Sequence, residues 1–133
     1  KKKTRYTEVR EAAVVVRRRG KVLLRKCGAD ERWSGLWDFP RFPLTASRGA
    51  ALHAELRDQV QRQTGVEITP GGKLVTIKHG VTRFRITLEC FVAEYVAAQR
   101  RRDEGNPQKW VSPARLGELP LSVTGRKIAR LIA

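Results

Sequence analysis

Between Thr82 and Val92 the sequence shows its clearest alternation: Thr82, Phe84, Ile86, Leu88, Cys90 and Val92 fall on one face, Arg83, Arg85, Thr87 and Glu89 on the other. A period of two is a strand's, so this stretch predicts a strand with one apolar and one polar face. Lys73 to Lys78 predicts its partner, and a tip around His79-Gly80-Val81 turns the chain from one to the other.

Upstream, Ala12 to Arg17 is rich in β-branched residues, Arg19-Gly20 is a turn signal, and Lys21 to Arg25 carries Val22, Leu23 and Leu24. This predicts a hairpin whose first strand starts near Glu11, after a polar, basic segment 1–10 that reads as the end of a connector. A loop from Cys27 to Gly35 leads through Leu36 and Trp37 to Phe39-Pro40, where the proline ends or edges any strand. Between about Ser47 and Thr64 the period lengthens. Leu52, Leu56 and Val60 recur at i, i+4 and i+8, which predicts a helix with Gly65 as its stop. Beyond Pro70-Gly71-Gly72 comes the strand pair above, followed by a charged loop over 98–109 and a short apolar element at Trp110-Val111. Ser112-Pro113 then opens a short helix, and Ile128, Leu131 and Ile132 mark a last helix with a basic face. Hairpins interleaved with helices predict an α+β domain layered α/β/α.

The chain has 133 residues, 41% of them apolar, which suffices for one domain with its own core. Its longest apolar runs, such as Ala12 to Val16, fall far short of the ~20 residues of a membrane span. Charge narrows the partners: 28 Lys and Arg against 13 Asp and Glu give +15, and the pI is near 11.1. Arginine outnumbers lysine and is spread along the chain, so a folded basic surface suited to phosphate is expected. Cys27 and Cys90 stand alone, with no C-x-x-C, and are expected to be buried, reduced thiols. With no secretion signal, the expected location is cytoplasmic, nucleoid-associated in a bacterium, or otherwise intracellular. The chain lacks Met and opens Lys1-Lys2-Lys3-Thr4, consistent with a domain excised from a longer protein.

The apolar hairpin, the Trp-bearing loop, Phe39-Pro40 and a helix ending in Thr64-Gly65-Val66 resemble a Nudix domain over nearly the whole chain. The resemblance implies an α/β/α sandwich with a mixed sheet, one long helix after the Phe-Pro segment and a C-terminal helix. In that family the helix carries a box, G-x5-E-x7-R-E-U-x-E-E-x-G-U with U aliphatic, whose glutamates bind the divalent cations that hold a substrate pyrophosphate. Such hard cations need oxygen ligands. Counted back from Gly65-Val66, the R-E pair falls on Asp58 and Gln59, and the E-E pair on Arg62 and Gln63. The earlier Glu falls on Ala50 and the opening Gly on Leu44. Glu55 and Asp58 are the acids left nearby, and Arg62 puts a cation where metal would sit. No metal ligand, no catalytic residue and no pyrophosphohydrolase activity are therefore expected.

Three stretches carry a narrower resemblance, to the carboxy-terminal domain of MutY-type adenine DNA glycosylases. The first is Ala12 to Arg25 followed by Trp33-Ser34-Gly35-Leu36-Trp37-Asp38-Phe39-Pro40, similar to that domain's hairpin and G-L-W-E-F-P segment. The second is Lys78-His79-Gly80-Val81-Thr82-Arg83-Phe84-Arg85-Ile86-Thr87-Leu88, similar to its H-x-F-[ST]-H-x-x-x-x-L hairpin. The third is Trp110-Val111, then Leu119-Pro120-Leu121-Ser122 and Arg126-Lys127-Ile128. The resemblance implies that residues 11–133 form a lesion-recognition domain for duplex DNA in which 8-oxoguanine stands opposite adenine. Position by position, the family's F-S-H triad becomes Val81, Thr82 and Arg83, which departs from it at the first and third places. Lys78, His79 and Arg85 are candidates for phosphate contact. The family's catalytic domain, covalently linked in the parent glycosylase, carries an iron-sulfur cluster on four cysteines. Two cysteines cannot hold that cluster, so no cofactor is expected in this chain.

Two other functions compete with this one. A hydrolase of nucleoside diphosphate derivatives would need a nonstandard metal site, built from Glu55 and Asp58 with acids of the 103–104 loop. A generic basic nucleic-acid-binding module would need the charge alone. Trp33, Trp37 and Phe39 could form a base-stacking platform, but bulk of that kind is expected in the core and its loops.

Overall fold

The computed structural model describes residues 5–99 and 106–132. Ala12 to Val16 is an unbroken apolar run, as a central strand covered on both faces requires, and each of its residues is at most 1% exposed. It is the middle of β1 (Thr7–Arg18), which turns at Arg19-Gly20 into antiparallel β2 (Lys21–Lys26). Both turn residues have positive φ, 49° and 77°, the conformation of a tight two-residue hairpin turn. β3 (Trp37–Asp38) and β4 (Arg41–Pro43) flank Phe39-Pro40, and α1 (Gly49–Thr64) follows. The helix stops at Gly65, φ 74°, whose N–H donates to the Gln61 carbonyl. β5 (Val66–Val81), β6 (Phe84–Ala98), β7 (Gln108–Val111), a 3₁₀ turn (Pro113–Glu118) and α2 (Val123–Ile132) complete the order.

The sheet runs β3-β2-β1-β6-β5, with β4 also on β1 and β7 on β2. β1 and β6 are parallel and the other pairings antiparallel, so the sheet is mixed. On one face Ala12, Val14, Val16, Phe91 and Ala93 pack against Leu56 and Val60 of α1. On the other, Ala13, Val15, Leu88 and Cys90 pack against Leu116 of the 3₁₀ turn and Ile128 and Ala129 of α2. This is the predicted α/β/α layering, a mixed sheet between one main helix and a C-terminal one.

Three local readings change. β1 starts at Thr7, not near Glu11, because Thr7 to Arg10 pairs with Phe84 to Thr87. Pairing across the sheet, which no periodicity in this segment announces, makes part of the supposed connector a strand. β5 begins at Val66 and runs through Pro70-Gly71-Gly72, where the register against β6 shifts. The turn signal there is a bulge inside one strand. The hairpin turn itself is Thr82-Arg83, and His79-Gly80-Val81 belongs to β5.

Cys27 and Cys90 are buried and free. Burial, with Asp38 and Glu31 nearby, pushes the Cys27 thiol up to about 11, and burial pushes that of Cys90 up to about 12. Both stay protonated and unreactive near neutral pH. Among the described residues, no helix is long and apolar enough to cross a membrane.

Candidate nucleic-acid interface

The β5–β6 ladder closes at Val81 opposite Phe84 and leaves Thr82-Arg83 as the turn. Residues directly opposite each other point to the same side of a sheet. Val81 and Phe84 therefore share one side of the tip, while Arg85 opposite Gly80 and Lys78 opposite Thr87 share the other. The result is a tip with an apolar and a cationic side. Phe84 is 41% exposed. The alternation put it on the buried face, but that face is covered only from Ile86 onward. Phe84 thus supplies, across the ladder, an aromatic surface that the sequence lacks at Val81.

Thr82 has φ 49°. A β-branched residue is rarely held there, and the conformation costs on the order of 1 to 2 kcal/mol. Its hydroxyl donates to the Val81 carbonyl at 2.8 Å, so its remaining capacity is that of an acceptor. Arg83 is exposed, and its carbonyl accepts from the Thr7 N–H at 2.8 Å, tying the turn to β1. The Arg85 guanidinium lies 4.1 Å from the centre of the Tyr6 ring. Lys78 is exposed.

His79 differs from the other candidates. It lies on the α2 side of the sheet, with Nε2 3.1 Å from Arg41 Nη2. A guanidinium only donates, so Nε2 is the acceptor and the ring is neutral. Burial and the Arg41 charge hold its pKa below the ordinary value. Arg41 also donates to Glu11 Oε1 at 2.9 Å and Thr124 Oγ1 at 2.5 Å, and its Nη1 lies 3.4 Å from Asp38 Oδ2. Burial opposes ionisation of Glu11, but Arg32 and Arg41 outweigh it and hold the carboxyl below the usual range. For Asp38 burial wins, and its pKa is raised despite Arg41, Ser122 and the Phe39 N–H. This cluster joins β1, β4, β5 and α2, and sequence reading missed it. The available signal was a charged residue directly after the apolar Phe39-Pro40, with an acid at the mouth of the first strand.

On α1 the positions of the box carry no donor set for a hard cation. Asp58 is paired with Arg62 at 3.2 Å, with both side chains exposed. Gln63 donates to the Arg41 carbonyl at 2.6 Å and accepts from the Arg41 N–H at 3.3 Å. Glu55 accepts from the N–H groups of Thr45 and Ala46 and from the Thr45 hydroxyl, which holds the loop before the helix. Burial raises its pKa, but these donors outweigh it and the carboxyl is held low. Among the described residues, no three of His, Cys, Asp and Glu come together as a metal site would need. Asp103 and Glu104 lie outside the described residues, as do Lys1 to Lys3. The side chains present do not fit Mg²⁺.

Of the aromatic residues, Phe39 is fully buried and Trp37 packs against the α2-side core, with Lys109 Nζ 4.3 Å from its ring centre. Trp33 lines a cavity of about 170 Å³ beside Glu11, Arg32 and Arg41. None of the three presents an open stacking face at the tip.

The family described as NUDIX domain matches residues 12–131. Among solved structures, a MutT protein from Methanosarcina mazei superposes with a TM-score of 0.79 at 21% identity, covering 96% of this chain and 94% of that one. The ORF135 protein of E. coli gives 0.77 at 20% identity, covering 95% and 89%. A MutT NUDIX hydrolase from Burkholderia pseudomallei gives 0.78 at 14% identity, covering 96% and 99%. At these identities the likeness is one of fold. No curated protein matches the chain.

Proposed function

This chain belongs to the NUDIX domain family, and we propose that it uses the fold for recognition: it senses 8-oxoguanine opposite adenine in duplex DNA, as the non-catalytic domain of a MutY-type adenine DNA glycosylase. The observation that carries the reading is Thr82, a β-branched residue held at φ 49° on an exposed hairpin tip. Strain of this kind persists at functional positions when surrounding structure enforces it.

The chemistry follows from the hydroxyl. Guanine presents N7 as an acceptor in the major groove. In 8-oxoguanine N7 carries a hydrogen and becomes a donor. Thr82, whose own hydrogen is engaged by the Val81 carbonyl, can accept from that N7–H with this bond intact, whereas donating to an unmodified N7 would require giving it up. Val81 and Phe84 supply an apolar wedge beside it, able to enter a base step. Lys78, Arg83 and Arg85 hold phosphate. His79, neutral and facing Arg41, braces the hairpin and contributes no cation.

Base removal would belong to a covalently linked catalytic domain with its own iron-sulfur cluster, and this chain needs neither metal nor cofactor. The reading carries with it an intracellular, DNA-associated location. The test is fluorescence anisotropy at ~150 mM salt, because phosphate contacts are salt-sensitive, on matched duplexes with and without one 8-oxoguanine·adenine pair. Tighter binding of the damaged duplex is expected. Equal binding of both, with a steep salt slope, would instead mark a generic basic module.

A further inference from the structure

We propose that the end of the sheet opposite the recognition tip is a second phosphate-binding surface, and that it holds a second segment of duplex DNA. The turn between β1 and β2 and the strand ends beside it carry Arg17, Arg18, Arg19 and Lys21, of which Arg17, Arg19 and Lys21 are exposed. Lys109 and Arg115 come to the same place from β7 and the 3₁₀ turn. Surface clefts of about 230, 400 and 450 Å³ meet there, and Lys21 lines all three. Carboxylates are fewer: Glu94 and Glu118 line these clefts, and Glu118 is 3.7 Å from Arg115. Arg18 is held 4.1 Å over Tyr95 and 5.7 Å from Trp110, which fixes one cation on an aromatic base. Concave, cationic and edged with aromatic rings, this surface suits a phosphodiester backbone.

Its position decides which DNA it meets. β1 and β6 run abreast from Thr7↔Phe84 to Arg17↔Glu94. Those ten steps at ~3.3 Å per residue put the two ends on the order of 33 Å apart, along the strand direction. A tip that wedges into a base step points its strands toward the helix axis. The far end then faces away from that stretch of duplex and is open to another.

The experiment is capture of a labelled duplex by a bead-bound one in the presence of the protein. Both are undamaged and about 20 base pairs, two helical turns, at ~150 mM salt. Arg17→Gln, Arg19→Asn and Lys21→Gln are combined in one variant; Asn tolerates the left-handed backbone at position 19. A second variant, the α1 variant, removes the same number of cations from α1 and its N-cap: Arg48→Gln, Arg57→Gln and Arg62→Gln. Wild type and the α1 variant are expected to bridge the duplexes, and the turn variant to lose capture about ten-fold or more while its single-duplex binding changes far less. Absence of bridging by wild type, or equal loss in both variants, overturns the proposal. The proposal rests on the tip holding the first duplex; single-duplex binding by the turn variant shows whether the tip does so, and because neither duplex is damaged, loss of lesion preference alone leaves the result untouched.

Discussion

Arg41 Nη2 lies 3.1 Å from His79 Nε2, and through that contact the β5–β6 hairpin is braced against the middle of the fold. The Arg41 side chain is 9% exposed, as is that of its partner Glu11. Removing one member of such a pair leaves a buried charge short of a partner. Arg41→Met is expected to lower unfolding stability by about 3 kcal/mol, read by urea denaturation. An unchanged midpoint would mean that the cluster holds nothing together.

The same cluster sets a pH dependence. His79 has a folded pKa below its ordinary 6.5, so the unfolded chain binds more protons and stability falls as the pH drops below that value. Glu11, also depressed, adds losses as the pH falls below about 4.5, as does Glu89 outside the cluster, where burial is outweighed by Arg10 and Lys73, which hold the carboxyl low. Asp38, whose pKa is raised, works in the opposite sense and offsets part of this. The denaturation midpoint is expected to fall between about pH 8 and about pH 5, the window of histidine titration. In His79→Gln this first step should shrink while the loss at carboxylate pH remains.

Restoring a box glutamate should harm the fold. Gln63 both donates to and accepts from the Arg41 backbone, and a carboxylate cannot donate. Gln63→Glu is expected to cost about 1 to 2 kcal/mol, again by denaturation. Neither this variant nor wild type should release phosphate from nucleoside diphosphate derivatives with Mg²⁺. Turnover by wild type would revive the hydrolase reading.

Substitution of Thr82 is expected to separate stability from the proposed recognition. Thr82→Gly relieves the positive φ and is expected to raise stability by up to about 1 kcal/mol while losing preference for damaged DNA. A loss of stability instead would show that the threonine side chain supports the turn.

Much of the architecture was legible because local chemistry specifies it. Arg19-Gly20 is a turn, Gly65 a helix stop, and Leu56 with Val60 a core face, whatever the rest of the chain does. What escaped depends on partners distant in sequence. Thr7 to Arg10 is a strand because Phe84 to Thr87 lies beside it, and Pro70-Gly71-Gly72 is a bulge because β6 continues past it. The candidate site was legible in part. Thr82 and Arg83 are at the tip, but Phe84 is visible as a tip residue only once the ladder's last pair is known. His79 is withdrawn by an arginine 38 positions earlier in the chain.

Comparison of Thr82→Ser and Thr82→Ala with wild type, by anisotropy on duplexes with and without one 8-oxoguanine·adenine pair, tests lesion recognition most directly. The account predicts that serine keeps the preference for damaged DNA and alanine abolishes it, with affinity for undamaged duplex little changed in either. A preference that survives in Thr82→Ala would contradict it.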